Sequence, residues 1–247
     1  MAQLATPLTS QDVAYYRENG YLLYHHQLFS EEKFARLQAI FEEHLAQKGS
    51  KLSDELDTPH FRDPRLLDFL LSDEVLDLVE PIIGPDIFLW SSHFICKDPY
   101  TGRPTPWHED SAYWEGRVNH YEKIITVWLA LDRSNDENGC MRVIPGSHNN
   151  GFSEYEKVDA ATNTFGSQIK NLDDSRAVSF VLEPGECSLH DSRIMHGANA
   201  NTSQYRRCGY TMRYMSADTR IIPERNANHK LWLARGKDRS GNSYVND

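Results

Sequence analysis

The segment Pro106-Trp107-His108-Glu109-Asp110-Ser111-Ala112-Tyr113-Trp114 carries a His-x-Asp pair between aromatic residues. In an extended chain, side chains two apart share a face, so His108 and Asp110 project together while Glu109 points away. One strand would thus offer two metal-ligating groups. His196, in Ser192-Arg193-Ile194-Met195-His196-Gly197, is the best candidate for a third. Two imidazoles and one carboxylate on one face of a metal leave the opposite positions open, the arrangement of non-haem iron(II) oxygenases.

Taken alone, His-x-Asp is weak evidence, because such pairs recur by chance on solvated strands. The order of elements strengthens it: His-x-Asp ending one strand, intervening strands, His-Gly, a polar turn, then a strand opening on Arg207. If the strands bearing His196 and Arg207 are antiparallel neighbours, Arg207 lies beside the histidine but deeper in the barrel. There it would grip the far carboxylate of a five-carbon dicarboxylate whose keto-acid end chelates the metal. Thr211 shares the face of Arg207 by the period of two and would add a hydrogen bond.

Other residues read more plainly. His190 and Asp191 are adjacent, so in a strand they point to opposite faces, which suits a buried, hydrogen-bonded His and a turn Asp better than a second metal pair. His148, in Pro145-Gly146-Ser147-His148, suits turn chemistry. His25, His26, His44 and His60 have no partner spacing and read as solvated or core. Tyr113 and Trp114 are core aromatics or walls of a substrate pocket, and Arg117 meets an anionic substrate or solvent; both alternatives stay open.

The elements that must position these groups fall into two textures. Thr9-Ser10-Gln11-Asp12 opens a helix ending at Gly20, a short strand spans Tyr21 to His25, and Ser30 caps a longer helix with apolar Phe34, Leu37, Ile40, Phe41 and Leu45 at helical spacing. Two more helices are predicted over Asp63 to Leu71 and Ser72 to Ile83, the second stopped by Gly84-Pro85. From Ile87 the chain turns to short β-rich runs: Ile87 to Lys97, Thr105 to Trp114, Lys123 to Asp132, Gly139 to Ile144, Ala177 to Leu182, Glu186 to His190, Ile194 to Gly197 and Arg206 to Ser216. This predicts a mainly β protein, a β-sandwich or jelly roll with the N-terminal helices packed on one sheet. We expect a single domain over 1–247: a helical part at about 9–84, a jelly-roll core at about 86–216 and a polar tail at about 222–247, frayed from Lys237 to Asp247. Asn149 to Arg176 has little periodicity and reads as a surface lid.

The bulk numbers exclude several partners. Against 26 Lys and Arg stand 36 Asp and Glu, a formal charge of −10, which disfavours nucleic acid and anionic membrane surfaces. Neither a leader-like N-terminus nor a run of about 18 apolar residues is present, so we expect a cytoplasmic protein. Cys96, Cys140, Cys187 and Cys208 are scattered without Cys-x-x-Cys spacing and are expected to be buried free thiols.

Over roughly Ile83 to Met215 the chain resembles the phytanoyl-CoA dioxygenase family of Fe(II)/2-oxoglutarate oxygenases. The resemblance rests on Trp107-His108-Glu109-Asp110, Thr126-Val127-Trp128-Leu129-Ala130-Leu131-Asp132, Glu137-Asn138-Gly139-Cys140-Met141-Arg142-Val143-Ile144-Pro145-Gly146-Ser147-His148, and His196-Gly197 with Arg207. It implies a double-stranded β-helix of the jelly-roll, cupin-like kind. It also implies Fe(II), 2-oxoglutarate and O2 as cofactor and co-substrates, with His108, Asp110 and His196 as iron ligands. Arg207 is implied to pair with the C5 carboxylate of 2-oxoglutarate, and Trp128 and His93 to line the co-substrate pocket. Halogenases of the family have Ala or Gly where Asp110 stands, so the carboxylate implies hydroxylation or a related oxidation of a small molecule, with release of succinate and CO2. Two rivals remain at this stage: a non-catalytic metal-binding jelly-roll scaffold, for which Arg207 has no use, and a cupin-type enzyme independent of 2-oxoglutarate. Acyl-CoA is disfavoured as substrate, since only scattered Lys97, Arg103, Arg117 and Lys123 lie near the site.

Overall fold

A computed structural model describes residues 6–245. The expectations for the extreme N-terminus (1–5) and for the last two residues lie outside that range. In chain order the elements are α1 (Ser10–Asn19), β1 (Tyr21–Tyr24), α2 (Glu31–Ala46), β2 (Leu56–Asp57), α3 (Leu67–Leu70), α4 (Asp73–Ile83), β3 (Ile87–Lys97), β4 (Thr105–His108), α5 (Asp110–Tyr113), β5 (Ile124–Ala130), β6 (Met141–Val143), β7 (Tyr155–Lys157), β8 (Ser167–Ile169), β9 (Val178–Ser179), β10 (Cys187–Asp191), β11 (His196–Ala198), β12 (Arg207–Ser216) and β13 (Trp232–Arg235).

Local chemistry sets the helix ends. Thr9 and Asp12 form a reciprocal capping box on α1, and Gly20, at φ 79°, closes it in the left-handed region that glycine tolerates. Ser30 caps α2 by accepting from the Lys33 amide. The α2 residues Phe34, Leu37, Ile40 and Phe41 are buried as the helical spacing predicts; each contributes about 1.5–3 kcal/mol by leaving water.

Two sheets face each other. The larger is seven-stranded, ordered β1-β10-β5-β12-β3-β13 with β2 also on β3; the smaller is β4-β11-β6-β9, and β7 and β8 form a separate hairpin. Strand alternation sorts the large sheet. Ile125, Val127 and Leu129 of β5 and Cys208, Tyr210, Met212 and Tyr214 of β12 join the α2 and α4 side chains in one core. Their neighbours, Trp128 of β5 with Arg207, Thr211 and Arg213 of β12, line a cavity between the sheets. The result is a jelly-roll double-stranded β-helix with the N-terminal helices on the outer face of one sheet, and every predicted β run contains a strand.

Several expectations need correction. The Thr105 to Trp114 run is a strand only to His108, because its partner β11 begins at His196, directly opposite His108. Beyond that pair the chain turns into α5, and the Ser111 amide bonds to Ser192 O at 2.8 Å. The helix expected over Asp63 to Leu71 is a 3-10 turn at Pro64–Leu66 followed by one turn of α3. Strands β2, β7, β8 and β13 were not anticipated. The described part of the tail is tied to the body: Arg235 reaches Asp73, Asp77 and Glu80 of α4 at 2.6–2.8 Å, and Asn242 donates to Thr219 O at 2.8 Å. Arg235 and Asn242 thus tie an otherwise largely exposed tail to distant elements. Cys96 and Cys208 face each other across β3 and β12 with Cα atoms 4.1 Å apart and are joined by a disulfide; only Cys140 and Cys187 are the free, buried thiols expected. Among the described residues, no helix is long and apolar enough to cross a membrane.

Candidate active site

His108, Asp110 and His196, all buried, present ligand atoms that lie within 4.8 Å of one another. Cross-strand pairing of His108 with His196 sets the imidazoles 4.1 Å apart, centroid to centroid. Glu109 is still extended, at φ −108° and ψ 135°, so alternation carries Asp110 back to the face of His108 before the chain turns. Each ring is aimed by its Nδ1, which lies 2.8 Å from Pro106 O in His108 and 3.0 Å from Ile194 O in His196. A proton on Nδ1 satisfies the carbonyl and leaves Nε2 with a free lone pair toward the carboxylate, the tautomer that binds a metal.

The electrostatics suit a cation. Burial, then the neighbouring His196, lowers His108 to about 3, so it stays neutral. Burial alone would raise Asp110, but the Arg213 guanidinium and the facing imidazoles outweigh it and hold the carboxyl below its ordinary range. Arg213 Nε donates to Asp110 Oδ2 at 3.2 Å, leaving Oδ1 toward His108 Nε2 at 3.8 Å. Two neutral imidazoles and one carboxylate in a buried cluster fit iron(II) in donor type and number.

The other sheet supplies the facing wall. β11 and β12 are not neighbours: β11 lies between β4 and β6, whereas β12 lies between β5 and β3. The connection from Asn199 to Arg206 crosses between sheets, so Arg207 looks at the metal ligands across the barrel instead of from beside them. Its Nε and Nη2 both donate to Gly139 O, at 3.1 and 2.8 Å, and its guanidinium lies 5.1 Å from the Trp128 ring centroid. Burial lowers it from 12.5 to about 10, which leaves it charged near neutrality. Arg207 is 2% exposed, and no carboxylate of the described residues pairs with it. The inner cavity between the walls is about 70 Å³ and is lined by His93, Trp128, Thr211 and Arg207 together with the three metal-ligating residues. Thr211 Oγ1 donates to His93 O at 3.1 Å and accepts from Arg213 Nη1 at 3.2 Å. His93 Nε2 lies 3.0 Å from Asp54 O.

A second, outer pocket of about 440 Å³ opens onto Asp110 and contains Tyr113, Trp114 and Arg117. Phe165, from the expected lid, closes over the junction: its ring is 4.9 Å from His108 and 5.1 Å from Tyr113. The lid is a β7–β8 hairpin tied down beside β4. Glu109, 1% exposed and pointing away from the metal ligands, accepts from Ser153 Oγ and from the Tyr155 hydroxyl.

Sequence reasoning overlooked Arg213, Phe165 and the position of His190. Arg213 carried a usable signal, since positions 207, 209, 211 and 213 share one face. Lys97, paired with Arg207 in the β3–β12 register, is fully buried and donates to Asn199 O. His190 is buried beside His196, but its Nδ1 has no partner, contrary to the hydrogen-bonded role expected. Asp191 holds Arg193 at 2.8 Å. His148 Nε2 lies 3.1 Å from Arg17 O, bracing α1 at the rim.

A jelly roll with buried imidazoles and a carboxylate on one sheet, facing a buried arginine on the other, has the architecture of an iron(II)/2-oxoglutarate-dependent dioxygenase. Residues 16–209 match the family model described as Phytanoyl-CoA dioxygenase (PhyH), and the chain belongs to that family. The match reaches back into the helical part that the motifs alone did not cover. The peroxisomal phytanoyl-CoA dioxygenase of Mus musculus is 27% identical over 241 residues, covering 87% of this chain and 70% of the relative. A Stutzerimonas stutzeri protein named "Probable alpha-ketoglutarate-dependent hypophosphite dioxygenase" is 27% identical over 68% of this chain and 59% of its own. The chain spans between 48% and 70% of the length of the mammalian relatives it matches. Among solved structures, EvdO2 from Micromonospora carbonacea var. aurantiaca complexed with 2-oxoglutarate superposes with a TM-score of 0.74 at 26% identity, over 90% of this chain and 96% of that one. The alpha-ketoglutarate-dependent carbocyclase SnoK from nogalamycin biosynthesis gives 0.72 at 26% identity, over 90% of each chain. The enzyme is an iron(II)- and 2-oxoglutarate-dependent dioxygenase.

Proposed function

We propose that the enzyme oxidises a C–H bond of a small molecule held in the outer pocket, with iron(II) on His108, Asp110 and His196 and with 2-oxoglutarate in the inner cavity. Bound iron with 2-oxoglutarate and O2 supplies the oxidising power, with succinate and CO2 released. The observation that carries the residue assignment is the pairing of opposites across the barrel: a cluster of metal-ligating atoms on one sheet and, on the other, a buried guanidinium without a carboxylate.

Each group has a defined task in this reading. The Pro106 and Ile194 carbonyls hold the two rings in the ligating tautomer, and Arg213 holds Asp110 by one oxygen, leaving the other oxygen available to a metal. Arg207 offers its remaining N–H edge to the C5 carboxylate, a charge-assisted contact in a water-poor cavity. Trp128 and His93 wall the co-substrate, and the Thr211 hydroxyl adds a polar contact. Phe165 and Tyr113 shield the metal from solvent, and Tyr113, Trp114 and Arg117 receive substrate. Because Asp110 keeps the carboxylate that halogenases of the family lack, hydroxylation or a related oxidation is the reaction favoured over halogenation.

The test is substrate-dependent succinate release. Protein with iron(II) and 2-oxoglutarate is incubated in air with a panel of small metabolites, and succinate and oxidised product are quantified together. Stoichiometric product and succinate with one compound class are expected. Turnover undiminished in the double variant His108→Ala, His196→Ala would defeat the assignment.

A further inference from the structure

Arg117 lies at the end of α5's connection, in the wall of the outer pocket. Its Nε donates to Asn226 Oδ1 at 3.0 Å. The Asn226 amide is itself fixed by donating to Arg117 O and Ile222 O at 2.8 and 2.9 Å. The guanidinium is spread over Trp90, 5.0 Å from the ring centroid. These contacts use the Nε side and one face of the group. None occupies the Nη edge, which is the edge that takes a planar oxyanion in two parallel bonds.

Comparison with the other shielded arginines makes this edge informative. Arg103 pairs with Asp54, Arg142 with Asp174, Arg193 with Asp191, Arg206 with Asp132 and Glu42, Arg213 with Asp110, and Arg235 with acids of α4. Among the described residues the exceptions are Arg207, which faces the co-substrate cavity, and Arg117. Burial lowers Arg117 from its ordinary value, with Asp57 opposing in part. A cation kept half-buried and unpaired is destabilising unless an anion arrives to use it.

The route from the metal to this edge is continuous. Arg213 bonds Asp110 and lies 5.6 Å from the centroid of Trp114; Trp114 meets Trp90 edge to face at 6.0 Å; Trp90 carries Arg117. A ligand lying along these indoles would have one end at the metal ligands and the other at Arg117. Arg213 is already neutralised by Asp110, and Asp57 and Glu55, with side chains 67% and 49% exposed, stand on the same pocket. One free guanidinium beside two carboxylates suits a monoanion better than a dianionic phosphate.

We propose that the substrate is a carboxylic acid whose carboxylate is taken by the Nη edge of Arg117 and whose apolar or aromatic body lies along Trp90 and Trp114, presenting a carbon near His108 and Asp110. This rests on the reading that the outer pocket is the substrate site, and it makes Arg117 the determinant of substrate charge.

The probes are 3-phenylpropanoate, 4-phenylbutanoate and octanoate, each against its primary amide, with phenyl phosphate as the dianionic arm. They are titrated by calorimetry into anaerobic protein carrying iron(II) and 2-oxoglutarate. At least one acid should bind about tenfold or more tightly than its amide and more tightly than phenyl phosphate. The preference should vanish in Arg117→Gln, return in part in Arg117→Lys, and stay the same when the 2-oxoglutarate concentration is raised tenfold. Equal binding of every acid and its amide to the unaltered protein overturns the proposal, whatever the variants do. So does a preference that survives Arg117→Gln or is competed away by added 2-oxoglutarate, because the acids would then be reading the co-substrate cavity. Failure of the oxygenase reading would show separately, as an Arg117-dependent preference with no conversion of 2-oxoglutarate to succinate in the presence of any bound acid.

Discussion

The indole of Trp128 occupies the space that a side chain at position 209 would need: a Cβ on Gly209 would meet Trp128 Cζ2 at 2.1 Å. Gly209 lies between Arg207 and Thr211 on their face of β12, so its bareness lets Trp128 lie against the strand and beside the guanidinium. Gly209→Ala should displace the ring and disorganise the co-substrate wall without touching a metal ligand. We expect 2-oxoglutarate affinity to fall about tenfold, on the order of 1.4 kcal/mol, with iron affinity unchanged. Anaerobic titration followed by the metal-to-ligand absorption band measures the first, and equilibrium dialysis the second.

His108→Ala and His196→Ala each remove one ligand from a set with no spare among the described residues. Both variants should lose stoichiometric iron(II) binding and turnover while keeping their fold, since each deleted ring bonds only a nearby carbonyl. Iron content by elemental analysis, alongside circular dichroism, checks this. Wild-type iron retention in both would remove these residues from the metal site.

Arg207→Ala separates co-substrate from metal. It should leave iron affinity nearly intact and weaken 2-oxoglutarate by on the order of 30-fold or more, the scale of a lost, partly buried charge-assisted contact of roughly 2–5 kcal/mol. Arg207→Lys should recover only part, because it restores charge without the planar pair of donors. A folded Arg207→Ala protein that titrates like wild type would mean that Arg207 serves only to brace Gly139.

His60 sets a pH dependence of stability away from the site. Burial, then the neighbouring His229 and Lys230, lowers it from 6.5 to about 3. Between those values the unfolded chain takes up a proton that the native protein refuses, so stability falls as pH falls through the window. From pH 7 to pH 5 the single residue should cost about 2 kcal/mol. His60→Gln should show that much less acid sensitivity in urea midpoints at the two pH values. Identical pH slopes would show that His60 is protonated in the native state.

The sequence made the chemistry more legible than the geometry. His108 and Asp110 could be picked out because their spacing obeys strand alternation, and His196 because His-Gly followed by Arg207 stands in the right order after them. The helix stripe of Phe34, Leu37, Ile40 and Phe41 was plain because its spacing follows the helical period. The sheet that each strand joins was not, because alternation says which residues share a face but not which strand lies next door. That is why Arg207 was expected beside His196 and lies across from it. The tail's contacts and the hairpin inside the lid were not legible from composition. Arg235 and Asn242 find polar partners on distant elements, and Ser153 and Tyr155 find Glu109, none of which a local pattern can register. Arg213 was the avoidable omission, since its face followed from that of Arg207 and Thr211.

Placing the arginine and the metal ligands on opposite sheets turns the spacing of the barrel walls into a ruler. Neither end can adjust freely: Arg207 is fixed to Gly139 and Trp128, and the two rings are fixed to their own backbones. If 2-oxoglutarate spans the two walls as proposed, a diacid must bridge a set gap, and chain length, more than acidity or shape, would decide which keto acid is admitted. Oxaloacetate, one carbon shorter, would reach only one wall at a time, and 2-oxoadipate, one carbon longer, would have to buckle. Substitutions that change side-chain volume between the sheets, at Met141 or Ile95 for example, would recalibrate the gap and with it the preferred length of co-substrate.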